Sequence, residues 1–291
     1  MDAMALDQPV TATLLVNCRD RTGLVAALSS FVFSHGGNIL DADQHAESDS
    51  GEFFMRLVWD LAQFTIPREQ IRPEIAKLAE HFSLQWELTF SDRIPRVAVL
   101  ATKASHCLYD LLLCQQIGDL GGKIVAVISN HDVLTEVCKH FDVPFAVTPV
   151  DRNDKPKAEA QQLSLLASLD IDVVVLARYM QILSGEFVAQ WPNRIINIHH
   201  SFLPAFAGAK PYHQAKERGV KIIGATAHYV TAELDQGPII EQDVRRVSHR
   251  DEVEDLMRAG RDLERAVLTR AVRLHLQRRV LVSGNRTIVF G

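Results

Sequence analysis

From Arg96 onward the chain alternates short β-branched runs with helical segments, and this alternation constrains the fold more than any other feature. The runs at 97–101, 124–129, 145–148, 173–177 and 195–199 are apolar almost throughout. Between them, residues 107–117, 132–140, 157–169 and 184–191 carry helical spacing. Strands lose their polar alternation when both of their faces are covered, so the pattern predicts a mostly parallel sheet with helices on both faces. Residues 221–230 and 238–242 extend the sheet, a long helix over about 251–279 packs back, and 280–282 with 287–290 close as a hairpin.

The first ninety residues follow a different rule. A strand at 10–18 leads into a helix at 22–35, with Leu24, Ala27, Leu28, Phe31 and Val32 on one stripe. Gly36-Gly37 ends that helix, and strands at 38–47 and 52–61 flank a turn at 48–51. Pro67 opens a second helix with Ile71, Ile75, Leu78, Ala79 and Phe82 inward, and 84–90 is a last strand. The order βαββαβ is ferredoxin-like. Residues 91–95 are polar and end in Pro95, which divides the chain into domains at 8–91 and 95–291.

Composition narrows the function classes. A 291-residue chain that is 47% hydrophobic and 23% charged can bury ordinary globular cores, and a net charge of −5 argues against a general nucleic-acid binder. Cys18, Cys107, Cys114 and Cys138 form no CxxC pair, residues 1–8 hold no long apolar run, and no stretch is long enough to span a bilayer. The expectation is reduced thiols, a cytoplasmic protein, and no nucleic-acid or membrane partner.

Chemistry concentrates between residues 194 and 243. Asn197, His199 and His228 stand at the carboxyl ends of two neighbouring predicted strands, the edge where open α/β sheets bind ligands. Strand parity puts Asn197 and His199 on one side and turns His200 away. Asp235 precedes Gln236-Gly237-Pro238, a turn sequence. If that turn folds back, the set comprises an oxyanion donor (Asn197), a general acid/base (His199) and a carboxylate partner (Asp235). Taken singly, each residue is more often a satisfied polar group or a turn residue. His199 and His200 face opposite ways with no Cys or HxxxH spacing nearby, so no metal is expected.

Taken together, Asn197-Ile198-His199, Ser201-Phe202-Leu203-Pro204 and Asp235-Gln236-Gly237-Pro238 resemble the signature of the folate-dependent formyltransferases and formyl hydrolases. The resemblance implies a Rossmann-like catalytic domain in which Asn197, His199 and Asp235 act on 10-formyltetrahydrofolate with no cofactor. It implies substrate contacts from Arg178, Tyr179, Met180, Ile182 and Leu183, with Thr226 and His228 completing the formyl pocket. Arg178 would pair with a folate carboxylate. Residues 208–213 form an irregular connection that would cover the site.

The amino-terminal unit resembles an ACT domain through Asp20-Arg21-Thr22-Gly23-Leu24 and Gly37-Asn38-Ile39. Asp20 or Thr22 would cap the first helix, and Gly23 would permit close backbone approach. That resemblance implies an effector site at Asp20, Gly23, Leu24, Gly37, Asn38 and Ile39, with glycine or methionine as the expected effector. It also implies a homo-oligomer formed by ACT pairing.

Water is the expected formyl acceptor. The turn at 101–107 contains no glycine to cradle a phosphorylated amine, and His200 stands where the transferases carry Pro. The expected reaction gives formate and tetrahydrofolate, balancing folate pools and supplying formate for purine synthesis. The alternatives are formyl transfer to an amine, and an amino-acid-sensing protein that only binds folate.

Overall fold

The computed structural model describes residues 9–151, 154–204 and 211–291, so the expected cover at 208–210 lies outside the described residues. The chain divides into two compact units, Met1–Ile94 with Ile288–Gly291, and Pro95–Thr287.

The first unit is built from β1 (Thr11–Arg19), α1 (Leu24–Ser34), β2 (Ile39–Glu47), β3 (Glu52–Asp60), α2 (Arg68–Phe82) and β4 (Gln85–Phe90). Its antiparallel sheet has the order β2-β3-β1-β4, the ferredoxin-like arrangement. Leu24, Leu28 and Val32 on α1 and Ile71, Ile75 and Ala79 on α2 repeat every four residues. They bury one stripe of each helix against Leu14, Val16, Met55 and Leu57 of the sheet. The start of α1 differs from expectation. Neither Asp20 nor Thr22 caps it. Gly23 is the N-cap, at φ 97, a left-handed conformation that glycine adopts without steric cost.

The second unit runs β5 (Arg96–Ala101), α3 (His106–Gln116), β6 (Lys123–Ser129), α4 (Thr135–His140), β7 (Phe145–Val147), α5 (Lys155–Ser168), β8 (Val173–Ala177), α6 (Gly185–Ala189) and β9 (Ile195–His199). It continues through α7 (Pro211–Arg218), β10 (Ile222–Tyr229), β11 (Ile239–Arg246), α8 (Val253–Leu276), β12 (Val280–Ser283) and β13 (Arg286–Val289), the last strand crossing the unit boundary. The seven-stranded sheet has the order β11-β10-β9-β8-β5-β6-β7. Its pairs from β7 to β9 are parallel, whereas β10 is antiparallel to both of its neighbours.

Alternation along the strands sends their side chains into two cores. Val97, Val99, Ile196 and Ile198 face Leu263, Val267 and Ala271 of α8, while Ala98, Leu100, Val174 and Ile195 face Leu166, Phe187 and Trp191. Asn197 and His199 share the parity of Ile195, so they lie on the face away from α8. A capping box between Glu252 and Asp255 starts α8.

Candidate active site

The antiparallel course of β10 decides the position of the site. Asn197 pairs directly with His228, and His199 with Thr226. Because the carboxyl ends of β9 and β10 point in opposite directions, the polar groups do not gather at one strand edge, as the sequence suggested. They meet on the face of the sheet instead. A cavity of about 290 Å³ opens there, with Asn197, His199, His228 and Asp235 in its wall. Asp235 reaches it because the segment after β10 folds back, with Asp235 at φ 55, a conformation Asp tolerates better than most residues.

Asp235 faces both imidazoles and hydrogen-bonds to one of them, His199. Its Oδ2 is 3.3 Å from His199 Nδ1, and its Oδ1 is 3.6 Å from His228 Nε2. His228 Nδ1 lies 2.9 Å from the Tyr229 carbonyl, which can only accept, so Nδ1 carries the proton. His228 Nε2 is then an acceptor, and Asn197 Nδ2 donates to it over 3.2 Å. One amide hydrogen of Asn197 is held this way, and the other is free for a substrate oxygen. His199 is arranged similarly. With Nδ1–H directed at the carboxylate, Nε2 keeps its lone pair, and that atom is buried with no hydrogen-bond partner. A buried nitrogen without a partner beside a cavity is a ready proton acceptor for a bound reactant.

The His199 hydrogen bond, the largest cause, holds the Asp235 carboxyl far below the usual carboxylate range, against the upward push of burial. A carboxyl more acidic in the folded than in the unfolded chain stabilises the fold fully above its unfolded value of about 3.9, and the effect is lost as pH falls toward the folded value. The stability difference between the wild type and Asp235→Asn should therefore be constant above about pH 5 and shrink below about pH 4, as read from urea midpoints.

Glycine is needed at one point near Asp235. A Cβ on Gly237 would stand 1.8 Å from the Tyr229 carbonyl oxygen, so the two backbones touch there. Gly237→Ala should cost about 1–3 kcal/mol in denaturant melts, and it should lower turnover by moving Asp235.

The remaining expected contacts divide. Arg178, Tyr179, Met180, Ile182 and Leu183 all line the cavity, with Met180 and Ile182 well exposed. This forms an apolar wall suited to a flat ring. Thr226 does not line it. Its fully buried hydroxyl donates to the Ser201 carbonyl and accepts from Leu203 N and Gln242 Nε2, fastening the loop that follows β9. Arg178 is partnered from within, its Nε 3.5 Å from Glu264 Oε2. His200 does not turn away from His199. It lies beyond the end of β9, and the two rings stack at 5.0 Å and 23°.

Several supporting residues belong to no motif in the sequence. Gln162 donates to the Tyr179 hydroxyl, Thr102 Oγ1 accepts from Met180 N, and Glu159 accepts from Ser184 N. These three buried groups clamp the apolar wall at successive points. Glu264, 2% exposed on α8, takes His106 Nε2 at 2.7 Å and the Tyr212 hydroxyl at 3.2 Å in addition to Arg178. Burial pushes its carboxyl up, but the His106 hydrogen bond and the Arg178 charge outweigh this and leave it below the usual range. Among the described residues, His106, Cys107 and Glu264 come within 4.8 Å of one another as donor types for a metal. Arg178 already supplies a positive charge to that carboxylate, and burial followed by Glu264 holds the Cys107 thiol protonated.

In the amino-terminal unit the six expected effector residues form two groups. Asp20, Gly23 and Leu24 precede α1 and Gly37, Asn38 and Ile39 follow it, separated by a helix of 11 residues, roughly 16 Å at the α-helical rise. Leu24 is 2% exposed and belongs to the core. All four cysteines of the chain are free and buried, and among the described residues no helix is long and apolar enough to cross a membrane.

Comparison with known proteins adds a whole-chain likeness. The formyl transferase family matches residues 95–272, and the ACT domain family matches residues 12–80. The chain is 54% identical to the formyltetrahydrofolate deformylase of Synechocystis sp. over 97% of its own length and 99% of that protein's. It is 49% identical to the formyltetrahydrofolate deformylase of Bacillus subtilis, covering 95% of this chain and 93% of that one. A crystal structure of a formyltetrahydrofolate deformylase from Pseudomonas syringae pv. tomato superposes with a TM-score of 0.95 at 48% identity, over 99% of this chain and 96% of that one. The glycinamide ribonucleotide transformylase 1 of Symbiobacterium toebii matches only 68% of this chain, 95% of its own, with a TM-score of 0.64 at 33% identity.

Proposed function

The chain belongs to the formyltetrahydrofolate deformylase family, and on that premise we infer that it hydrolyses 10-formyltetrahydrofolate to formate and tetrahydrofolate. The observation that carries the mechanism is the buried, unpartnered Nε2 of His199, backed by Asp235 and adjoining the free amide hydrogen of Asn197. Water adds to the formyl carbon while His199 Nε2 takes its proton. Asp235 stabilises the imidazolium, and Asn197 donates to the oxygen that becomes negative. The carbon–N10 bond then breaks as His199 returns the proton to N10, leaving tetrahydrofolate and formic acid, which ionises. The step needs no cofactor or metal.

The apolar wall from Tyr179 to Leu183 takes the pteridine ring. Purified protein given 10-formyltetrahydrofolate should release formate and tetrahydrofolate in equal amounts with no amine added. Release only after an amine is supplied would make the protein a transferase.

The ACT unit acts as an amino-acid sensor, with glycine or methionine as effector. Its two groups of candidate residues lie at opposite ends of α1, which favours a site completed by a second copy and therefore a homo-oligomer. Calorimetry with each amino acid tests this, and absence of heat with both would remove them as effectors. The enzyme works in the cytoplasm, where it balances folate pools and supplies formate for purine synthesis.

A further inference from the structure

We propose that His200 holds the attacking water, its imidazole forming the second wall of a water site whose first wall is His199. This rests on the hydrolytic reading above. Two neighbouring rings, stacked at 5.0 Å and 23°, line the same cavity. His199 Nε2 is buried without a partner, and the His200 ring lines the cavity beside it. A bound water requires two to four polar partners to be held in one orientation. The general base alone supplies one. A second imidazole beside it supplies another and fixes the direction from which the oxygen approaches the formyl carbon.

The surroundings of His200 keep it fit for that task. The charged and titratable groups facing it are Arg178, just after β8, Glu264 of α8, His199 and Asp235 from the catalytic set, and Tyr212 of α7, its ring 6.4 Å away. Burial, then the positive charge of Arg178, push its pKa down to about 4, outweighing the two carboxylates, and His199 adds to that push only once it is protonated. It is therefore neutral at neutral pH and can both donate and accept a hydrogen bond, as water demands. A charged imidazole could only donate and would compete for the developing oxyanion. Glu264 has a place in this arrangement. It anchors Arg178 at 3.5 Å and Tyr212 at 3.2 Å, two of the groups that face His200. Tyr212 in turn fits over Gly260, one turn earlier on α8, where a Cβ would stand 1.9 Å from its hydroxyl.

The chemistry has a consequence for the choice of acceptor. Water is small and weakly nucleophilic and needs an oriented site, whereas an amine carried on a larger substrate is oriented by the rest of that substrate. An imidazole filling the space beside the general base serves the first case and obstructs the second.

The test replaces the ring but keeps the stack. His200→Phe preserves volume and planarity and removes both nitrogens, while His200→Asn retains a donor and an acceptor. Single-turnover formate release and folate binding are measured on both variants, with cooperative melting as the check on folding. The expected result is a kcat about tenfold lower in His200→Phe, the weight of one neutral hydrogen bond, with folate Kd unchanged and activity largely recovered in His200→Asn. Should the phenyl ring prevent folding, His200→Leu makes the same comparison. A kcat within about twofold of wild type in the variant without nitrogens, or folate affinity falling in step with kcat, would overturn the proposal. Formate release by the wild type separates this failure from failure of the hydrolase reading, since only the latter abolishes it.

Discussion

Asp235→Ala should lower kcat by ~10²–10⁴, the range for losing a positioned acid–base partner, with little change in folate affinity. The carboxylate lies 3.3 Å from His199 Nδ1, with the His228 ring 3.6 Å away on its other side. Its removal frees His199 to exchange tautomers, so Nε2 no longer holds a reliable lone pair toward the cavity. It also withdraws the negative charge that stabilises the imidazolium once the proton has moved. Asp235→Asn separates these effects, because a carboxamide oxygen still accepts from His199 Nδ1–H but carries no charge. The asparagine variant should therefore fall between wild type and alanine. Full activity in Asp235→Ala would remove the carboxylate from the mechanism.

Asn197→Ala should cost ~10²–10³ in kcat, the usual weight of one oxyanion donor. The loss should appear in the chemical step rather than in KM, since the donor strengthens only as the carbonyl oxygen becomes negative. The hydrogen bond from Asn197 Nδ2 to His228 Nε2 sets the orientation of the amide. A His228→Ala variant should accordingly lose part of the same activity, and the double variant should lose less than the product of the two. Independent, multiplicative losses would mean that His228 does not act through Asn197.

Parity and periodicity account for what was legible in the sequence. The β-branched runs announced a parallel sheet because strands covered on both faces have no other composition, and the same alternation put Asn197 and His199 on one face. The apolar stripes of α1 and α2 were equally plain. The direction of β10 was not, since a crossover containing Gly and Pro is compatible with either sense. That single unknown moved the site from the strand ends onto the sheet face. Asp235 was recognisable only conditionally, because its meeting with His199 depends on a loop that folds back through a left-handed residue.

Thr226 was misplaced for a related reason. The resemblance put it in the formyl pocket, but its engagement by Ser201, Leu203 and Gln242 is a tertiary contact that no local pattern encodes. Glu264 left a signal that went unread: a charged residue in the buried stripe of α8, between Leu263 and Val267 and four residues after Gly260. A carboxylate on an apolar helix face requires partners, and finding them leads to Arg178 and the site. Gln162 on α5 is the same kind of exception.

The attack of water on the formyl carbon is tested by a single turnover of 10-formyltetrahydrofolate in water enriched in oxygen-18, with formate analysed by mass and no amine present. Each formate should carry one labelled oxygen, released in step with tetrahydrofolate and suppressed in both Asn197→Ala and Asp235→Ala. Unlabelled formate, or no formate until an amine is supplied, would contradict the claim that this site directs water at the formyl carbon.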